Sequence, residues 1–169
     1  MNTETFKHQI FPLKDRMYRL SLSILVNPAE AQDVVQEVLM KFWNQRHRLQ
    51  EIKSLDAWAL KITKNHCLDK LRSKHRRVED IQMAPVKADG QANAEQLLER
   101  KELLEQIQRL MQRLPEKQRM LMQLRDIEGL SYEEIQEVMD LSTSQVKTNL
   151  FRARKKMRAL IEKTVNYER

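Results

Sequence analysis

Glycine is nearly absent from this chain: Gly90 and Gly129 are the only two in 169 residues, where average usage would place about twelve. Barrels, sandwiches and doubly wound sheets turn repeatedly on backbone conformations that glycine supplies at least cost. A chain so poor in glycine, with four prolines, is therefore expected to be helical and to bend at few places. The same scarcity excludes glycine-rich phosphate cradles, because neither a dinucleotide fingerprint nor a P-loop can be written. The single Cys67 rules out an internal disulfide and suits reducing surroundings. No apolar run of about 18 residues occurs, and Met1 to Ile10 lacks the apolar core of a signal peptide. The expectation is a cytoplasmic protein with no membrane insertion.

Charge divides the chain. Residues 1–77 carry 15 Lys and Arg against 8 Asp and Glu, a net of +7. Residues 78–100 carry 2 against 5, a net of −3, and residues 101–169 carry 14 against 11, a net of +3. Val78 to Glu95 has no apolar period and is rich in Pro, Gly, Asp and small residues, the texture of a linker. An all-α fold of two small helical domains, 1–77 and 97–169, joined by a flexible linker (78–96), is expected. Within the basic blocks, Lys61, Lys64, Lys70, Arg72, Lys74, Arg76 and Arg77 face a lone Asp69. Lys147, Arg152, Arg154, Lys155, Lys156 and Arg158 face no acid at all. One such run is usually a solvated helix face; two, each beside a binding element, point to a polyanion.

In the first block, Asn27-Pro28 is a strong helix opening, a favoured cap followed by a residue pre-set for the first turn. Val35, Val38, Leu39 and Phe42 mark one apolar face, and Asp33, Gln36, Glu37 and Lys41 the polar one. A second helix is expected from Leu55 to about Ser73, capped by Ser54. Its apolar residues split into two lines, Leu55, Trp58 and Ile62 on one side and Leu60, Cys67, Leu68 and Leu71 on the other. Between them runs a stripe of Lys61, Asn65 and Arg72, which reads either as an exposed polar stripe or as a line laid along nucleic acid. His66 beside Cys67 is not a metal site: neighbours on a helix point about 100° apart, and no second pair has zinc spacing.

The last block is more specific. Leu114-Pro115 opens a helix that Gly129 ends. Ser131 to Glu134 is a capping box, followed by a short helix through Met139. A tight turn at Asp140 to Ser142 leads to a second box, Ser142 to Gln145, and a longer helix to about Ile161. A short helix, a tight turn and a basic second helix describe a helix-turn-helix. In the second helix Val146, Leu150, Ala153 and Met157 form the core stripe. Opposite them lie Ser144, Lys147, Thr148, Phe151 and Lys155, with Arg152 and Arg154 on the flanks, residue types suited to base edges and phosphates. Phe151 suits either a thymine methyl or a neighbouring helix.

These residues together resemble the extracytoplasmic-function (ECF) group of the sigma-70 family of RNA polymerase sigma factors. Ala29–Trp43 (AEAQDVVQEVLMKFW) is similar to the second conserved region. Asp56–Arg77 (DAWALKITKNHCLDKLRSKHRR) is similar to the helix that engages the −10 promoter element, and Leu114–Met157 to the −35-reading fourth region. Departures are Gln136 where a small alanine is common, Asp140 where glycine is frequent, and Ala59 where leucine is usual; Asp tolerates the left-handed turn conformation.

The resemblance implies a transcription initiation factor, not an enzyme, with no cofactor or metal. It implies that Asp33, Gln36, Glu37 and Lys41 dock on core RNA polymerase. Lys61 and Asn65 would lie near the −10 element, with the loop from Arg48 to Ser54 capturing a flipped base. Arg72, Lys74, Arg76 and Arg77 would hold duplex phosphates. Ser144, Lys147, Thr148, Phe151 and Arg152 would meet the −35 element, with Arg154 and Lys155 on its backbone. Partners implied are the core polymerase, promoter DNA and an anti-sigma factor. The rival reading from the residues, a stand-alone dimeric DNA-binding regulator, would need a ligand or phosphoacceptor signature in residues 1–77, and none is written there.

Overall fold

The computed structural model describes residues 1–77 and 96–167, with side chains to His75 and from Leu98; the proposed linker, apart from Gln96, and with it Gly90, lies outside the described residues. Every regular element among the described residues is helical. They are α1 (Thr3–Ile10), α2 (Lys14–Leu25), α3 (Pro28–Asn44), α4 (Leu55–Arg77), α5 (Gln96–Gln112), α6 (Glu116–Met122), α7 (Tyr132–Met139) and α8 (Thr143–Tyr167). Short 3-10 turns join α1 to α2 (Phe11–Leu13) and lie before α4 (Leu49–Glu51), and α6 runs on into a π-helical turn, Gln123–Ile127. No described helix is long and apolar enough to cross a membrane.

The helix starts follow from local chemistry. Asn27 stands in extended conformation and its side chain accepts the Glu30 amide at 3.2 Å, with Pro28 in the first turn. Ser54 Oγ accepts the Ala57 amide at 3.3 Å at the head of α4. Both expected boxes are closed. Ser131 Oγ accepts the Glu134 amide while Glu134 Oε2 accepts that of Ser131, and Ser142 and Gln145 repeat the exchange. Each satisfies amide donors that a helix N-terminus leaves unpaired. The helix ends are also chemical. Asp140 closes α7 at φ 53°, and Gly129 sits at φ 72° between α6 and α7. Here a left-handed backbone is required, and Gly and Asp are among the residues that adopt it at least cost.

The split apolar lines of α4 have a tertiary explanation. Helix α4 is central, packed by α2 and α3 of its own region and by α7 of the C-terminal one. Trp58 lies against Phe42 of α3 with ring centroids 4.5 Å apart. Ala57, Ala59, Leu60, Thr63, Lys64 and Cys67 are buried. A helix covered on several sides cannot show one clean apolar stripe. Helix α2 also touches α6, so one apolar cluster runs from Phe6 and Met17 through Phe42 and Leu60 to Leu121, Ile135 and Leu150. Helices α4 and α8 extend further than the expected ends, to Arg77 and Tyr167.

Candidate nucleic-acid interface

Helices α7 and α8 and the turn between them form the helix-turn-helix. Ile135 and Val138 of α7 and Val146, Leu150, Ala153 and Met157 of α8 are buried, so the stripe read from the sequence is the one that packs. Its opposite face is open. Ser144, Lys147, Thr148, Arg152 and Lys155 are exposed, and Phe151 is 69% exposed. Within this chain Phe151 therefore does not pack against a neighbouring helix. Lys147 Nζ lies 5.9 Å from the Tyr132 ring centroid, with Arg125 over the same ring at 4.7 Å. The Lys147 contact ties α8 to the start of α7, and the Arg125 contact ties the π turn to the same ring.

Arg154 is exposed as well and also pairs within the chain. Its guanidinium forms a two-bond fork on Asp126, at 2.6 and 3.2 Å. The Asp126 carboxylate raises the Arg154 pKa above its ordinary value. Such a planar pair fixes orientation as well as charge, and it ties α8 to the π turn after α6. Arg154 thus serves the frame that holds the basic face.

The residues read for the −10 element are scattered along α4. Lys61 Nζ is 3.0 Å from Asp140 Oδ1, in the turn after α7. That hydrogen bond holds the Asp140 carboxyl below its ordinary range. Asn65 is exposed. Arg72 lies 3.5 Å from Asp69 one turn earlier, with both side chains open to solvent. Lys74 pairs with Glu30 of α3 at 3.0 Å. The side chains of Arg76 and Arg77 lie outside the described residues. So Lys61 is brought to α7, Lys74 to α3, and Asn65 and Arg72 remain on the open side.

On α3, Asp33, Gln36 and Lys41 are exposed as expected. Glu37 is paired: His66 bonds one carboxylate oxygen and Lys70 the other at 3.2 Å. The His66 hydrogen bond is the main cause that lowers its pKa; burial opposes it, and Lys70 adds to the lowering. Beside Gln36 the structure adds a groove of about 430 Å³, lined mainly by Phe6, Phe11, Leu39, Met40 and Trp43. Phe11 and Met40 are half or more exposed. Met40 belongs to α3, yet periodicity assigned it no role, because α1, which builds the far wall, left no distinct signal in the sequence.

Sequence reasoning also missed a polar junction between α2 and the α6–α7 turn. The Glu128 side chain is 1% exposed and accepts from Arg16 Nε at 3.2 Å, from Arg19 at 2.9 Å twice, and from Gln123 at 3.1 Å. Its backbone oxygen accepts from Arg16 at 2.8 Å, and Arg16 also reaches Asp56 at 3.0 Å. The hydrogen bond to Glu128 raises the Arg19 pKa. Lys64, 6% exposed, donates to the Val138 carbonyl at 2.7 Å, and burial lowers its pKa. Cys67 is buried, and that burial pushes its thiol up to about 11, which makes it inert at neutral pH.

The Sigma-70 region 2 family profile matches residues 12–77, and that of Sigma-70, region 4, matches residues 104–157. The chain is 31% identical over 142 residues to the ECF RNA polymerase sigma-E factor of Escherichia coli (strain K12), covering 79% of this chain and 74% of that one. It is 30% identical over 154 residues to the ECF RNA polymerase sigma factor SigE of Mycolicibacterium smegmatis, covering 88% of this chain and 58% of the length of that relative. In structure it is similar to the sigma factor RpoE of Bartonella quintana, solved in complex with the anti-sigma factor NepR. The TM-score there is 0.75 at 20% identity, covering 95% of this chain and 98% of that one. CnrH, solved with the cytosolic domain of CnrY, superposes with a TM-score of 0.68 at 21% identity, covering 95% and 90%. The two regions in order, with this fold around them, place the chain in the extracytoplasmic-function group of the sigma-70 family.

Proposed function

We propose that this chain is a promoter-specificity factor for bacterial RNA polymerase. It binds the core enzyme through the polar face of α3, sets α4 at the −10 element and lays α8 along the −35 element. The observation that carries this reading is the exposed face of α8, where Ser144, Lys147, Thr148, Phe151, Arg152 and Lys155 stand open over a buried stripe. Ser and Thr reach base edges, Lys and Arg reach guanine or phosphate, and the phenyl ring meets a thymine methyl. Asn65, Arg72, Lys74, Arg76 and Arg77 serve the −10 side, with Lys61 once its contact to Asp140 opens. Asp33, Gln36, Glu37 and Lys41, with the apolar groove beside Gln36, form the polymerase face; an apolar groove of this kind needs a covering partner.

The chain supplies sequence recognition and help in melting, and the polymerase supplies the chemistry. Extruding a base from the duplex costs a few kcal/mol, which a receiving loop at Arg48 to Ser54 would offset. The proposed working compartment is the cytoplasm, and an anti-sigma factor is the proposed regulator. The residues proposed as domains are 1–77 and 97–169, joined by 78–96.

Reconstituted transcription with core polymerase, followed by sequencing of the selected promoters, tests the reading. Lys147→Ala with Arg152→Ala should relax −35 preference, and Asp33→Lys should weaken core binding without loss of helicity. Asp33 is the cleaner probe of the α3 face, because Glu37 also holds His66 and Lys70. Unaltered −35 preference in the double variant would remove α8 from the recognition role. Full core binding by Asp33→Lys would remove the α3 face.

A further inference from the structure

The junction between the two regions is unlike an incidental contact. Its centre is a buried carboxylate, Glu128, carried by the turn before Gly129, and the cations that neutralise it, Arg16 and Arg19, are both on α2. Within its own region Glu128 accepts a side-chain hydrogen bond only from the uncharged Gln123, among the described residues. Charged groups taken out of water are tolerated when paired and fully hydrogen-bonded, and this pair is completed only when the regions meet. Three further ties run from α4 to α7. Ser54 Oγ donates to Glu134 Oε1 at 3.0 Å, Lys61 meets Asp140 at 3.0 Å, and Lys64 donates to the Val138 carbonyl at 2.7 Å. The last places a cation at the C-terminal end of α7, where the helix dipole favours it.

We infer that the free chain rests in this closed form, with Glu128 as its latch and α7 as a cover over the Lys61–Lys64 side of α4. The consequence for DNA rests on the functional reading above; the latch itself does not. In the closed form the two promoter-facing surfaces are treated unequally. The face of α8 is open, while Lys61 is tied and Lys64 is buried. A helix covered by α7 cannot lie along nucleic acid with the same side. Full engagement of the −10 element, with Lys61 taking part, therefore requires that α7 leave α4, so whatever separates the regions completes −10 recognition. The open α8 face needs no such step.

Lysine acetylation of the full-length protein alone, read by mass spectrometry, tests the latch. Reactivity of a covered group follows the population of the opened state, so Lys64 should react about tenfold or more slower than exposed Lys147, the internal reference. Arg16→Ser with Arg19→Ser should bring Lys64 to within about threefold of Lys147 at unchanged helical content. Arg19→Lys, which keeps the charge but loses the two-bond fork, should fall between. If the double variant loses helicity, Arg19→Lys decides: a rise in Lys64 reactivity supports the latch, and no rise overturns it. Wild-type Lys64 as reactive as Lys147, or a folded double variant with Lys64 still protected, also overturns it. Promoter selection in reconstituted transcription is scored separately, so the latch and the functional reading fail independently.

Discussion

Phe151→Ala separates recognition from folding in a single residue. A phenylalanine side chain offers about 200 Å² of surface, and at 69% exposure about 140 Å² of this one remains in water. The ring therefore contributes little to the fold, and its removal should change unfolding free energy by no more than about 0.5 kcal/mol, as for surface sites generally. If a groove wall covers half of the open ring, about 70 Å² of apolar surface leaves water on binding. At about 25 cal/mol per Å² that contact contributes about 1.7 kcal/mol, or roughly 17-fold in affinity. The assay pairs a chemical-denaturation curve of the free chain with fluorescence anisotropy of holoenzyme on a selected promoter carrying the −35 element. The expected result is an unmoved denaturation midpoint and a loss in promoter affinity of about tenfold to thirtyfold. A variant that loses more than about 1 kcal/mol of stability while binding promoter normally would refute the reasoning and make Phe151 a packing residue.

Other consequences are open to measurement. Ile135 of α7 is 0% exposed within the apolar cluster, so Ile135→Ala should destabilise by about 2–4 kcal/mol in urea, and a loss under about 1 kcal/mol would mean that this core collapses around the gap. Ser131→Ala removes the cap of α7 and should lower stability by about 1 kcal/mol, whereas Ser131→Asp should restore it. The carboxyls of Glu37, Glu134 and Asp140 are held low, chiefly by His66, by the Ser131 amide and by Lys61 respectively. Their stabilisation is fully present above the ordinary carboxyl values near 4 and is lost as pH falls through the lower, folded values. Denaturation midpoints of the wild type and Glu134→Gln should therefore converge between about pH 5 and about pH 2; a constant gap across that range would contradict the assignment.

Much of the local structure was legible from the residues because local chemistry decides it. The caps at Asn27, Ser54, Ser131 and Ser142 each need only a side chain and an amide three positions on. The turns at Gly129 and Asp140, both at positive φ, were legible because these are among the few residue types that adopt that conformation at low cost. The core stripe of α8 was legible because one face of that helix packs and the other is open, so periodicity reports burial directly. Helix α4 resisted the same reading. Its packed partners come from α2, α3 and α7, and its two apolar lines, with Lys64 buried beside them, make sense only once all are in place.

The sequence by itself determined that the chain is helical, where its helices are capped, and which face of α8 is basic, since each rests on contacts within about four residues. Only the tertiary structure decided how charges separated by more than a hundred positions meet. Arg16 and Arg19 stand 112 and 109 residues from Glu128, a distance at which no local pattern connects them. The same holds for Lys61 and Asp140, 79 residues apart. Read along the chain, Lys61 is a cation in a basic stripe; folded, it is half of an ion pair that holds a helix over that stripe. Local sequence sets what a residue can bind, and packing sets what it is bound to.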